Sequence, residues 1–415
     1  MNISDDLLSQ LLKDYKEPKD LIGEGGIFEQ LQARLLQAVT HGELNHHLGY
    51  EKHDKAGNNS GNSRNGTYPR KIKTESGELE IKMPRDRNGT FSSTIIPKNT
   101  TRFDGFDKQI ISLYASGLTM REIRDHVKQV YKTDVSPELI STVVDQVKED
   151  LDVWRNRELK DFYCFIFLDA IHLKIKESGR FVNKAVYVAV GVDVEGKRDV
   201  LGLWIGDGIV DKKGEKKYGE SAGFWLDVLN EIKHRGVEDV LIVCVDGLKG
   251  FPKAIGVAFP EARIQLCIVH MLRNSALFLS YKKRKIIMND LKPIYTAKNE
   301  KEAAKALNYF EEIWGEEHPR IVKTWRENWN NLVPFLDYGG AIRKAIYTTN
   351  SIESLNMSLR RVLKTRPSFP NNDSVYKLLF LGLQKITQRW SKSVKSWSEI
   401  IGELDIKFPG RIPTS

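Results

Sequence analysis

The sequence predicts a mixed α/β domain accompanied by helical segments. Two short apolar runs, 162–168 and 240–245, each lead directly into an aspartate, and such runs are typical of strands buried on both faces. Strands and helices alternate after the first run. Elsewhere, apolar residues recur every three or four positions, which indicates helices that bury one face.

Composition narrows the class of protein. The chain has 415 residues, 40% of them apolar and 29% charged, which suits two or three soluble domains with real cores. No apolar run approaches the ~18 residues of a membrane span, and the N-terminus lacks the order of a signal peptide. Three scattered cysteines form no disulfide framework, so we expect a cytoplasmic protein. The net charge of +9 indicates a polyanion as partner.

The first hundred residues contain helices and then a hairpin. Residues 1–52 are predicted to be helical because leucines recur at helical spacing. Residues 53–103 combine a loop rich in Asn, Gly, Ser and Arg with a short hairpin over 70–83. Four histidines leave a metal site open as an alternative, although no cysteine accompanies them and their spacing fits no standard site: His41, His46, His47 and His53.

Residues 104–155 are predicted to form a compact helical unit. A first helix ends near Gly117, a second begins at Met120, and Ser136 caps a third. This order resembles a helix-turn-helix DNA-binding domain. Three cations on the second helix are candidate DNA contacts: Arg121, Arg124 and Lys128. A three-helix bundle with a solvated basic face is the alternative, because the third helix carries several acids.

Residues 160–270 follow the order strand, strand, strand, helix, strand, helix, strand. The expected strands cover 162–168, 184–192, 200–205, 240–245 and 264–268. This order matches a ribonuclease-H-like core, the fold of retroviral integrases. In that topology the first and fourth strands are neighbours, so Asp169 and Asp246 are expected to lie at the ends of adjacent strands.

Two neighbouring aspartates that both stay ionised need a cation, because like charges in contact raise the pKa of one of them. Carboxylate oxygens in basic surroundings suit Mg²⁺, which keeps water ligands and binds substrate phosphates. Two such ions can activate a nucleophile and stabilise the leaving oxygen of a phosphodiester. Each aspartate also has a purely structural interpretation: Asp246 and Gly247 form a turn signal, and Asp169 can solvate a strand end.

The rest of the chain is predicted to be helical. Residues 271–345 form an all-helical insertion, residues 346–374 contain a helix that begins near Asn350, and residues 375–415 form C-terminal packing helices. Four polar residues share one flank of the helix within 346–374: Glu353, Asn356, Arg360 and Lys364. Because Asn350 and Glu353 are also spaced as a capping box, a structural role for Glu353 stays open.

At this point the chain resembles the Mutator-type family of bacterial insertion-sequence transposases, the IS256 family. Three segments resemble its catalytic blocks: Leu168-Asp169-Ala170, Val-Asp-Gly-Leu-Lys-Gly at 245–250 and Thr-Asn-Ser-Ile-Glu-Ser-Leu-Asn at 349–356. Arg64-Asn65-Gly66 and the segment 84–91 are similar to the family's N-terminal block. The resemblance covers nearly the whole chain.

The resemblance implies a catalytic Asp-Asp-Glu triad of Asp169, Asp246 and Glu353 that binds Mg²⁺, with Mn²⁺ as a substitute. It implies a transposase that nicks double-stranded DNA at the transposon end and joins the freed 3′-hydroxyl to a new phosphodiester. Residues before about 150 would recognise the terminal inverted repeats. Pairing two ends implies a homodimer or a larger assembly, associated with the bacterial nucleoid.

Residues 265–274 resemble the family's Cys-x-x-His block, with Ile268 where Trp is usual. Cys267 and His270 leave zinc open, but only two ligands are visible, which favours structural support or a DNA contact from His270. Cations and amides beside the triad are candidate DNA contacts: His270, Arg273, Asn274, Asn350, Asn356, Arg360, Arg361 and Lys364.

Two other functions remain open. A nuclease of the same fold would cut DNA without joining it, but the helix-turn-helix region and the long insertion argue against this. A relict DNA-binding protein would act as a repressor or structural factor, but the presence of all three acids speaks against it.

Overall fold

Two units make up the structure, residues 1–146 and 147–415. The computed structural model describes residues 5–13, 15–22, 25–58, 60–74, 76–131, 134–207, 209–210, 216–217, 221–247, 250–277, 279–347 and 350–413. The sequence suggested a boundary after residue 155, whereas the division follows Gln146.

The N-terminal unit contains six helices and one hairpin among its described residues. Their bounds are α1 (Asp5–Leu11), α2 (Pro18–Ile22), α3 (Ile27–Leu48), β1 (Arg64–Thr74), β2 (Gly77–Asp86), α4 (Asp104–Ala115), α5 (Met120–Tyr131) and α6 (Pro137–Asp145). Ser136 caps α6 as predicted, because its hydroxyl accepts a hydrogen bond from the backbone of Leu139 at 3.1 Å.

The β1–β2 hairpin is longer than the sequence indicated. It begins at Arg64 rather than 70, with a register shift between Arg64 and Thr67. Backbone pairing with β2 therefore outweighs the loop-like composition of this stretch. One side of the hairpin forms a small core, with Ala33 and Leu36 of α3 packed against it: Ile72, Leu79, Ile81, Met83 and Ile96.

The C-terminal unit begins with one helix and a set of strands. Their bounds are α7 (Val147–Asn156), β3 (Phe162–Glu177), β4 (Arg180–Val192), β5 (Arg198–Ile205), β6 (Ile209–Val210), β7 (Lys216–Lys217), α8 (Ala222–His234), β8 (Asp239–Val245), α9 (Phe251–Ala258) and β9 (Arg263–Leu266). The third predicted helix of the N-terminal region therefore ends at Asp145. Helix α7 packs against a later helix of the C-terminal unit through the rings of Trp154 and Phe380.

Helices complete the C-terminal unit. Their bounds are α10 (Ile268–Ala276), α11 (Tyr281–Tyr295), α12 (Glu300–Trp314), α13 (Pro319–Glu327), α14 (Trp329–Leu332), α15 (Gly340–Tyr347), α16 (Asn350–Leu363), α17 (Asn372–Thr387) and α18 (Trp397–Lys407). The indole of buried Trp325 donates to Ser275 at 3.0 Å, which ties α13 to α10. Within the described residues, no helix is both long and apolar enough to cross a membrane.

A five-stranded mixed sheet forms the centre of the C-terminal unit. Its order is β5-β4-β3-β8-β9, in which β5, β4 and β3 are antiparallel neighbours and β8 and β9 run parallel to β3. The first and fourth strands of this region are therefore adjacent, as predicted. Trp225 of α8 packs against the rings of Tyr187 and Phe251 on one side of the sheet.

Several strand boundaries differ from the sequence-based expectation; β4, for example, begins at Arg180 rather than 184. Two further differences concern β3 and the fifth strand. Asp169 does not end its strand, because β3 continues to Glu177 and pairs with β4 over its whole extension. Asp169 instead lies just past the point where β8 stops pairing with β3, at Phe167 opposite Cys244. The fifth strand ends at Leu266 rather than 268, because Cys267 is the residue that precedes α10.

Candidate active site

One small cavity brings the three predicted acids together. Its volume is about 10 Å³, roughly the space of one water molecule. Strand β3, the end of β8, α10 and α16 supply its lining residues: Leu168, Asp169, Cys244, Val245, Asp246, Cys267, His270, Ile352 and Glu353. Residues up to 185 positions apart in the chain therefore share one site, because β3 and β8 are adjacent and α16 packs on β3.

Asp169 is buried and has polar partners on both carboxylate oxygens. Asp169 as a whole is only 7% exposed. Oδ1 accepts from the backbone N–H of Ala170 at 2.8 Å, and Oδ2 accepts from Asn356 Nδ2 at 2.5 Å. Burial raises the pKa of Asp169, while His270 and these two hydrogen bonds oppose the rise and the charge of Asp246 adds to it. The ionised carboxylate is thus costly in this position.

Asp246 follows β8 directly and has an unsatisfied oxygen. Its Oδ1 is buried without a hydrogen-bond donor among the described residues, and the same is true of Asn356 Oδ1. Buried acceptors without a donor are costly, and a cation would satisfy them. The carboxylate oxygens that line this cavity are hard ligands of the kind that Mg²⁺ prefers, so the residues fit a divalent ion.

Glu353 lines the same cavity but has a different partner. Its Oε1 lies 2.6 Å from Arg273 Nη2, an ion pair between α16 and α10. Across the described part of the chain, no three His, Cys, Asp or Glu side chains are grouped closely enough to hold one metal ion. The Glu353 carboxylate is engaged by the guanidinium of Arg273 on the neighbouring helix.

His270 adds positive charge beside the two aspartates. A hydrogen bond with Cys267 is the main reason that the pKa of His270 rises to about 9, with burial opposing it and Cys267, Asp169 and Asp246 adding to it. His270 Nδ1 is buried and has no hydrogen-bond partner within the described structure. His270 therefore lies inside the acidic cavity.

The other predicted DNA contacts occupy varied positions. Asn356 is 2% exposed and bonds to Asp169, so its interpretation as a DNA contact needs correction: it positions an acid of the cavity. Arg273 is engaged by Glu353. Several residues on α10 and on or just after α16 are exposed: Asn274, Arg360, Arg361 and Lys364. The side chain of Asn350 lies outside the described part of the structure.

In the N-terminal unit, the three predicted cations lie on α5. Arg121 and Lys128 are exposed. Arg124 bonds to Asp125 at 3.0 Å, and Lys128 lies 3.9 Å from Asp134. The family resemblance grouped Asp169, Asp246 and Glu353, but the hydrogen bond between Asp169 and Asn356, 187 positions apart, could not be predicted from the sequence.

Comparison with known proteins matches this chain to transposases. The family model described as "Transposase, Mutator family" matches residues 4–393. The chain is 41% identical over 412 residues to a probable transposase for insertion sequence element ISRM3-like from Sinorhizobium fredii, covering 99% of both chains. It is equally identical, over the same share, to the transposase for insertion sequence element ISRM3 from Rhizobium meliloti.

More distant similarities are also found. The transposase for insertion sequence element IS256 in transposon Tn4001 from Staphylococcus aureus is 26% identical over 342 residues, covering 82% of this chain and 85% of the relative. Among solved structures, the Drosophila P element transposase strand transfer complex aligns with a TM-score of 0.34 and 10% identity. That alignment covers 72% of this chain and 97% of the other, and it is a weak likeness.

Proposed function

This chain belongs to the Mutator family of transposases, and we propose that it cuts and joins DNA at a metal site built from Asp169, Asp246 and Glu353. The observation that carries this proposal is the cavity in which these three acids meet, with an Asp246 oxygen that has no hydrogen-bond donor among the described residues. A bound cation would offset the electrostatic cost of a buried acidic cavity of this kind.

We further propose that the sheet is a ribonuclease-H-like core. Three antiparallel strands followed by two parallel ones, with the first strand beside the fourth, support this assignment. The helices α10 to α15 would then be an insertion between β9 and α16, and α4 to α6 would form a helix-turn-helix that binds the terminal inverted repeats. The basic residues on α5 support a DNA-binding role for these helices.

Asp169, Asp246 and Glu353 would hold Mg²⁺, or Mn²⁺ in its place. Divalent ions at such a site lower the pKa of water and stabilise charge on a phosphodiester. Asn356 holds the Asp169 carboxylate in place through its amide N–H. The positive charge of His270 lies beside Asp169 and Asp246 and offsets part of their repulsion.

Arg273 has two uses in this scheme. In the structure its guanidinium neutralises Glu353. With Glu353 as a metal ligand, the guanidinium would be available to bind a DNA phosphate beside the reacting bond. Three exposed cations follow Glu353 by seven to eleven residues, about 10–17 Å at 1.5 Å per residue, and can hold the backbone farther away: Arg360, Arg361 and Lys364.

The substrate is double-stranded DNA that carries the ends of the insertion sequence. We propose that the protein nicks the DNA at an end and transfers the freed 3′-hydroxyl to a new phosphodiester. Because two ends must be held together, at least two copies of the chain act in one assembly.

The test uses labelled DNA that carries the element's own end, with Mg²⁺ and the full chain. We compare wild type with Asp246→Asn and with Asp227→Asn, which changes an exposed acid on α8. Wild type and Asp227→Asn should cleave and join, while Asp246→Asn should bind the end equally well and lose chemistry by at least about a hundredfold.

Other outcomes overturn specific parts of the proposal. Equal activity of Asp246→Asn and wild type removes Asp246 from the site and with it the triad. Cleavage without joining identifies a nuclease. End binding without cleavage by any variant, at any divalent metal, identifies a DNA-binding protein without catalysis.

A further inference from the structure

Helix α11 begins with four consecutive cations. Lys282, Lys283, Arg284 and Lys285 are all exposed, and no acid lies in the first turn of the helix. Only Lys283 is paired with an acid in the described structure, namely Glu317. We call residues 281–286 the α11 basic patch.

The patch works against the stability of its own helix. The N-terminus of a helix carries partial positive charge, so cations in the first turn are unfavourable there. Ser280 stands at the N-cap, but its side chain makes no capping hydrogen bond, and Lys283 occupies the position where a capping box has Glu. A sequence that breaks several local rules at one place usually does so for function.

Apolar side chains in and beside the patch are also exposed. Tyr281 is 92% exposed, Leu277 just before it is 73% exposed, and Ile286 is 55% exposed. Single exposed apolar residues are common, but an exposed ring next to a run of cations is typical of surfaces that track nucleic-acid backbones.

The patch lies next to the candidate active site. Arg284 Nη2 donates to the carbonyl of Ala276 at 3.0 Å, at the C-terminal end of α10. Ala276 follows Arg273 by three residues, about 4.5 Å along the helix, and Arg273 contacts Glu353. The start of α11 is therefore tied to the end of α10, the helix that carries Arg273.

We propose that the α11 basic patch binds the phosphate backbone of the DNA that enters the active site. This inference rests on the proposed function and deepens it by naming the surface that holds the duplex. Charge complementarity selects the partner: a row of cations, of which only Lys283 has an acidic partner in the described structure, fits a polyanion whose backbone passes the reacting bond. Lys282 and Lys285, which form no ion pair within the described structure, supply the contacts.

The test measures stability and DNA binding on the same variants. In the double variant Lys282→Gln/Lys285→Gln, the loss of the unfavourable charge at the helix start should raise the melting temperature by about 1–4 °C. Binding to a random-sequence duplex should weaken, and the slope of log K against log salt should fall by about 0.9 for each lysine removed. Opposite signs for stability and binding are the signature of a functional patch.

Two further variants control for charge and for folding. Lys407→Gln removes an exposed cation from the last turn of α18, where a cation is favourable, so stability should fall slightly and the salt slope should not change. Lys282→Arg/Lys285→Arg keeps the charge and should retain wild-type binding, since backbone contacts need a cation at these positions.

The inference and the proposed function fail in different ways. If wild type binds duplex DNA and the double Gln variant keeps the same affinity and salt slope, the patch is a solvated surface and this inference is overturned. The inference is also overturned if Lys407→Gln lowers the slope as much as the double variant does. If wild type binds no DNA at all, the proposed function fails.

Discussion

Removing the guanidinium of Arg273 should strengthen metal binding in the absence of DNA. In the proposed site the Arg273–Glu353 ion pair, at 2.6 Å, competes with a divalent ion for the Glu353 carboxylate, because the guanidinium already engages Oε1. The two side chains are 58% and 32% exposed, so solvent screens the pair and its contribution is about 0.2–1 kcal/mol. Since 1.4 kcal/mol is a factor of ten, Arg273→Ala should raise the affinity for a divalent ion about 1.4- to 5-fold.

The assay is a titration of DNA-free protein with Mn²⁺, in which electron paramagnetic resonance counts the free ion at about 0.1 M salt. Arg360→Ala is the matched control, because it removes the same charge from an exposed site on α16 seven residues beyond Glu353. At about 10 Å, one Debye length, its effect should be smaller than that of Arg273→Ala.

A double-mutant cycle isolates the contact. In a Glu353→Gln background, Arg273→Ala should no longer change the affinity, because the competing pair is already gone. Unchanged or weaker Mn²⁺ binding by Arg273→Ala would refute the competition. An equal gain in the Glu353→Gln background would show that Arg273 acts through general charge.

Two further predictions concern stability and its pH dependence. Because burial raises the pKa of Asp169, its charge costs stability in the metal-free protein, so Asp169→Asn should raise the melting temperature by about 2–4 °C, for a gain of about 1 kcal/mol. The gain should shrink as pH falls and the wild-type carboxyl takes up its proton; a gain independent of pH would contradict this cause. Burial alone would raise the pKa of Asp86, but hydrogen bonds from Asn62, Thr90 and Phe91 lower it overall, so its charge stabilises the N-terminal unit. Asp86→Asn should cost about 2–3 kcal/mol at pH 7 in chemical denaturation, and wild type should lose the same stabilisation as pH falls below about 4; equal stability of both proteins at pH 7 would remove Asp86 from this role.

The order of the central strands could be predicted from the sequence because the signal there is strong. Runs such as 162–168 are short, continuously apolar and rich in β-branched and aromatic residues, so a buried strand suits them best. The adjacency of β3 and β8 follows from topology once the strands are known. Because these two strands are adjacent, Asp169 and Asp246 are expected to lie in the same site.

The extent of β3 could not be predicted from the same signal. After Asp169 the pattern changes from continuous to alternating, with Ile175 buried and Lys174 and Lys176 exposed. That is the pattern of a strand with one solvated face, and pairing with β4 extends the strand to Glu177. The change from a continuous to an alternating apolar pattern marks the point where the sheet narrows. In the sequence alone, this change resembles the end of a strand.

Side-chain pairing in the site lies beyond sequence reasoning for a different reason. Glu353 could serve as a capping residue, a metal ligand or an ion-pair partner, and its spacing to Asn350 is compatible with more than one role. Which role it plays depends on Arg273, 80 positions away. Spacing along one helix carries no information about the helix packed against it.

Two electrostatically unfavourable groups of opposite charge lie close together in this structure. The buried aspartates and the donorless oxygen of Asp246 call for a cation, while the cations at the start of α11 call for an anion. Arg273 connects them, because the guanidinium is bound to Glu353 and lies one turn before the carbonyl that Arg284 contacts. If Glu353 serves as a metal ligand, as we propose, a divalent ion and the Arg273 guanidinium would compete for its carboxylate. Linkage then predicts that a divalent ion and a DNA phosphate raise each other's affinity by the same factor.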